Sequence, residues 1–151
     1  MLVSLGHWQE AWQDFQQVGL TYLLTAFIGL DREKEAHSAG LRTFPIVGMA
    51  SCGYLLVLGS QPDVEAQSRV LQGLITGIGF VGGGAILKEG ATVKGTATAA
   101  SIWNAGVIGA AVAMGRTEIA ILLSALNLFT LRALLPLKNW IDRRGNPDPD
   151  A

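Results

Sequence analysis

The sequence predicts an all-α integral membrane protein, a bundle of five transmembrane helices with its N-terminus outside and its C-terminus in the cytoplasm. Three observations carry this. Half of the 151 residues are hydrophobic and only 15% are charged, with a mean hydropathy of +0.37, a balance beyond that of ordinary globular chains. Five apolar stretches, residues 11–30, 44–60, 69–88, 96–115 and 117–136, approach the roughly 20 residues that cross a bilayer as a helix. Lys and Arg alternate between the two sides of these stretches, nine on one side against two on the other. Cytoplasmic loops carry the excess of positive charge, which sets the orientation and agrees with an odd number of crossings. Residues 1–144 are accordingly read as one transmembrane domain, and residues 145–151, with two prolines, as a disordered polar tail.

Segment one, AWQDFQQVGLTYLLTAFIGL, places Asp14, Gln17, Thr21 and Thr25 on one stripe at 100° per residue. A polar stripe is costly against lipid, so it faces protein. Segment two opens RTFPIVG, with Thr43 as the expected N-cap and Pro45 in the first turn, where a missing N–H does no harm. Segments three and four, RVLQGLITGIGFVGGGAILK and TATAASIWNAGVIGAAVAMG, are rich in Gly, Ala and Ser. Segment five, TEIAILLSALNLFTLRALLP, is expected to stop at Pro136.

Gly77, Gly79 and Gly82 satisfy the G-x-G-x-x-G spelling of a dinucleotide loop. That loop needs a strand before it and an acid about 20 residues beyond it. Here the glycines lie inside an apolar segment, and the position in question is Ile102. Close helix packing explains them better, because small residues let backbones approach where lipid supplies no hydrophobic drive. Gly73 and Gly77, Gly79 and Gly83, and Gly106 with Ala110 repeat that spacing, so segments three and four are expected to form the packed centre. The run Gly82–Gly84 also admits a kink or broken helix.

A net charge of −1 with no basic stripe argues against nucleic acid. Two His and the single Cys52 form no metal-ligand cluster and no internal disulfide, and Cys52, in an apolar run, reads as a packed thiol. No nucleophile–base pair is evident, so the chain is not read as an enzyme, and no cofactor or metal is expected.

With the segments placed, three words stand out: GLDRE at Gly29–Glu33, AGLRT at Ala39–Thr43, and GIGFVGGGAILKEGATVKGTATAASIW from Gly77 to Trp103. In content, order and spacing they resemble the MgtC/SapB family of bacterial inner-membrane proteins. The resemblance covers nearly all of Leu20 to Gly115 and implies a multi-pass protein of the bacterial cytoplasmic membrane that serves adaptation to low magnesium or envelope stress. For pathogen members it also implies survival in phagocytes through control of the proton-translocating ATP synthase, a partner of this kind being expected alongside the lipid bilayer and a second copy of the chain in a homodimer. Many members continue into a soluble cytoplasmic domain, and this sequence resembles the short form without it. It carries Thr96 and Ala97 where the virulence-associated members have Leu-Asn, and Asn104 where they have Cys.

Three groups of residues are candidate sites. Asp31, Arg32, Glu33 and Arg42 match the family words and lie at two helix ends, where Arg–carboxylate pairs are geometrically specific. They read either as a vestibule for an ion or partner or as a topology-fixing salt bridge, with Asp31 expected to pair with Arg42. Lys88 and Lys94, with Thr98 behind them, flank glycine-rich backbone that would suit an anion, or form an ordinary turn. Asp14, Gln72, Ser101 and Asn104, with Gln17, Thr76, Ser124 and Asn127, are intramembrane polar groups that serve either as hydrogen-bond glue or as a cation path. A Mg²⁺ pore calls for converging carboxylates, and Asp14 alone qualifies within the segments. The sequence therefore favours a modulator of other membrane components over a small cation transporter or channel component, which is the alternative.

Overall fold

The computed structural model describes residues 5–33, 39–59, 63–90 and 92–145. They form five helices and one short hairpin: α1 (Leu5–Glu33), α2 (Thr43–Leu56), α3 (Val64–Gly83), β1 (Leu87–Glu89), β2 (Thr92–Lys94), α4 (Thr96–Ala113) and α5 (Thr117–Gly145). All five predicted helices are present, so the all-α class holds. Several of their boundaries and one connection differ from expectation, and the main differences have local reasons.

Thr43 is the first residue of α2 and not its cap. Arg42 occupies the N-cap position with no side-chain bond, and the N–H groups of Thr43 and Phe44 are taken instead by the Gly40 carbonyl at 3.1 and 3.3 Å. α2 ends at Leu56, short of residue 60, and the chain turns at Gly59 with φ +80°. α3 starts earlier than residue 69, at Val64, because Asp63 caps it by accepting the Glu65 N–H at 3.5 Å. It ends at Gly83, where the glycine run lowers helix propensity enough for the chain to leave the helix before Lys88. The stretch read as a turn is an antiparallel hairpin pairing Leu87 with Lys94 and Lys88 with Val93.

α5 runs through Pro136 to Gly145, past the expected stop and into the first residue read as tail. Proline forgoes the bond to the carbonyl four residues back, that of Arg132, and water or a side chain can satisfy this exposed end. The remainder of the predicted tail, 146–151, lies outside the described residues.

The centre of the bundle is α2 against α4, with α1 and α5 packed around them. Phe44, Ile28, Cys52, Ile102, Ile108 and Val112 are fully enclosed or nearly so, which places Cys52 as the packed thiol expected. The backbones come closest where Gly48 of α2 meets Gly109 of α4: a Cβ on Gly109 would overlap the Gly48 carbonyl oxygen and lie 3.0 Å from the Cys52 nitrogen. On its other side Gly48 faces Thr25, whose Cγ2 would sit 2.8 Å from an added Cβ.

The expected centre of segments three and four is thus corrected. α3 lies at the periphery and buries only Gly82 among its residues. Added Cβ atoms at Gly73, Gly77, Gly79 and Gly83 would meet nothing within 4 Å, so these two ridges pack against no other helix of the described chain. Gly106 does pack, with an added Cβ overlapping Ile78 of α3 and reaching 3.3 Å from the Ser51 hydroxyl.

Polar side chains share the interior with the apolar core, and many large apolar ones lie on the outside. Thr21, Thr25, Asp31, Arg32, Ser51, Thr98, Ser101 and Ser124 are buried, while Phe27, Ile46, Tyr54, Phe80, Leu122 and Phe129 lie exposed. Large contiguous apolar exposure marks a surface meant for lipid or a partner. Two helical stretches, Thr96–Ala113 and Thr117–Leu137, are long and apolar enough to cross a membrane by length and composition, and α2 is a shorter apolar helix of 14 residues.

Candidate functional site

The chemistry gathers at one end of the bundle, where α1 ends, α2 and α4 begin, and α5 passes. α1 delivers Asp31 and Arg32 to this end in its final turn. Asp31 sits one residue beyond the apolar stretch 11–30 and is nearly enclosed, with its side chain 10% exposed and that of Arg32 only 4%. Its Oδ2 accepts from Arg32 Nη2 at 2.9 Å, and its Oδ1 accepts from Arg132 Nε of α5 at 2.8 Å. Burial works against ionisation, but the hydrogen bonds and charges of Arg132 and Arg32 outweigh it and hold the carboxyl below the usual aspartate range.

The expected partner, Arg42, is exposed and forms no ion pair among the described residues. The reason is geometric: Arg42 caps α2 at the surface, while Asp31 turns inward toward α5. Arg132 was overlooked as a site residue because it is 101 positions away in sequence. A signal existed, since an Arg inside the otherwise apolar segment five calls for a partner. Glu33, placed in the same predicted cluster, serves the connection: its Oε2 accepts the Leu41 N–H at 2.9 Å.

Beside Arg32 a cavity of about 500 Å³ opens between the hairpin, the start of α4 and the wall of α5. Arg32, Lys94 and Thr98 line it together, so these members of two separately predicted groups share one site. Lys88 does not join them. It is exposed on β1 and is not among the residues that line the cavity.

Of the polar set expected within the apolar segments, Ser101 and Asn104 make interhelical bonds. Ser101 Oγ donates to Asn127 Oδ1 at 2.9 Å and Asn104 Nδ2 to the Leu123 carbonyl at 3.3 Å, tying α4 to α5. Ser124 Oγ donates to the Leu24 carbonyl at 2.9 Å, tying α5 to α1. Gln72 is exposed on α3, apart from this set, its carbonyl accepting from Thr76 at 3.0 Å. Asp14 is at the opposite end of the bundle, exposed, beside Glu10 and Gln17 in a second cavity of about 530 Å³. Among the described residues, no three His, Cys, Asp or Glu side chains gather as a metal site would require.

The profile of the MgtC family matches residues 18–140. Protein SrpB of Synechococcus elongatus is 33% identical over 138 residues, covering 81% of this chain and 76% of its own. Escherichia coli K12 YhiD, whose name designates it a candidate magnesium transporter, is 32% identical over 117 residues, 69% of this chain and 52% of its own. Salmonella typhimurium Protein MgtC is 35% identical over 100 residues, 66% of this chain and 42% of its own. The chain therefore spans about half the length of several relatives that it matches. No solved structure matches it. With the profile covering 18–140, the length from the polar stripe of α1 to the last turns of α5, the chain belongs to the MgtC family.

Proposed function

We propose that the chain is a multi-pass protein of the bacterial inner membrane, with all five helices in the bilayer, the N-terminus outside and the C-terminus cytoplasmic, that modulates other membrane components in adaptation to low magnesium or envelope stress. The outward apolar surface supports the membrane setting: side chains such as Phe27, Phe80 and Leu122 face outward while several hydroxyls and an ion pair are enclosed. The end that carries Arg32, Lys94 and Arg132 is the end that the charge count assigns to the cytoplasm. A reporter active only in the cytoplasm should give signal when fused after Arg144 and none when fused within residues 61–67; the reverse pattern overturns the orientation.

The observation that carries the modulator reading is how the interior polar groups are used. Ser101, Asn104 and Ser124 spend their hydrogen bonds joining helices, and Asp31 is neutralised by two guanidinium groups. None of these is arranged to replace the waters of a passing cation. The name of the relative YhiD favours the second reading, a small cation transporter. Purified protein in sealed vesicles should pass Mg²⁺, K⁺ and protons no faster than protein-free vesicles. Flux of any of the three above that baseline replaces the modulator with the transporter.

A further inference from the structure

We propose that the cavity at the start of α4 binds a phosphate group. α4 is an 18-residue helix whose N-cap is Gly95, and no side chain caps it. Gly95 has φ +86°, and a Cβ there would overlap the Ala85 carbonyl oxygen, so the position admits no capping side chain at all. The first-turn N–H groups at Thr96, Ala97 and Thr98 have no helical acceptor, and with the helix dipole they present partial positive charge. These three residues line the cavity.

A second, independent observation points to a ligand. Thr98 is 0% exposed, and its Oγ1 has no hydrogen-bond partner. A buried hydroxyl left unpaired is costly unless something completes it, and Thr98 lines the cavity beside those N–H groups. Lys94 and Arg32, the latter also bonded to Asp31, add positive charge to the wall, and no carboxylate is among the cavity's described lining residues. Backbone N–H groups, a hydroxyl donor and cationic side chains together form the donor set of a phosphate site.

The opposite wall is apolar, formed by Leu131, Leu134 and Leu135 of α5. The same pocket thus suits a phosphate that arrives free from the cytoplasm or as the headgroup of an anionic lipid whose chains lie along α5. Both present the same oxygens to Thr98 and the α4 N-terminus.

The test uses the full chain in mild detergent, titrated separately with inorganic phosphate and with a short-chain phosphatidic acid, against chloride and a neutral diacylglycerol, and read by thermal stabilisation and by mass measurement of bound lipid. Stabilisation by inorganic phosphate identifies a free anion as the source. Retention of phosphatidic acid without any response to inorganic phosphate identifies the lipid headgroup. Thr98→Val keeps the side chain's shape while removing an unpaired hydroxyl, so folding should be retained and binding should weaken about tenfold. Thr98→Ser should restore binding by returning the donor. The proposal is overturned if neither phosphate compound binds above the controls, or if a Thr98→Val protein of unchanged helicity binds as the parent does.

Discussion

Asp31→Asn is expected to lower stability by about 3 kcal/mol, because it removes the charge of an enclosed carboxylate that two guanidinium groups share, one of them, Arg32, with a side chain only 4% exposed. The two arginines should not respond alike. Arg132 is 67% exposed, so Arg132→Gln should cost less, under about 1 kcal/mol. Arg42→Gln, at a surface cap with no ion pair among the described residues, should stay within about 0.5 kcal/mol of the parent. In a double-mutant cycle, Asp31→Asn combined with Arg132→Gln should cost less than the two separate changes together, since one interaction cannot be removed twice. Additive costs would mean that the two residues do not interact. The pH dependence has a definite sign. A carboxyl held below its ordinary range contributes stability that is complete above the unfolded value near 3.8 and is lost as the pH falls through the lower folded value. Acid unfolding of the parent should therefore steepen below about pH 4, and Asp31→Asn should lack that component.

Gly109→Leu is expected to abolish the native bundle, and Gly109→Ala to cost about 3 kcal/mol. An added Cβ overlaps the Gly48 carbonyl and crowds the Cys52 nitrogen, and both are backbone of α2. Backbone cannot swing aside as a long side chain can, so α2 and α4 must part. The control is Gly79→Ala on α3, where an added Cβ meets nothing within 4 Å. It should be neutral or stabilising by up to about 1 kcal/mol through helix propensity. Unfolding in detergent, followed by helix content, reads both. Equal effects at Gly79 and Gly109 would remove the close α2–α4 crossing from the account of the fold.

Local patterns determined which helices exist, though not the hairpin between α3 and α4. Apolar runs punctuated by polar loops mark five helices because a helix in an apolar surrounding needs a continuous stretch of such side chains, and that property belongs to each stretch alone. The words around Asp31, Ala39 and Gly77 were specific enough to indicate the family, and a profile match over residues 18–140 agrees. The role of Ser101 and Asn104 as glue was likewise among the sequence readings, since both lie on one face of α4.

Which faces meet was decided only by the tertiary structure. Small-residue spacing occurs in α3 and α4 alike, and spacing records what a helix permits, not what its neighbour offers. Gly73 and Gly79 permit close approach but meet no other helix in the described chain, whereas Gly48 and Gly109 meet each other. For the same reason Asp31 pairs with Arg132 and not Arg42. Proximity in sequence limits how far two residues can separate, but a buried carboxylate takes the donor that the fold brings to it, here from a helix 101 residues on.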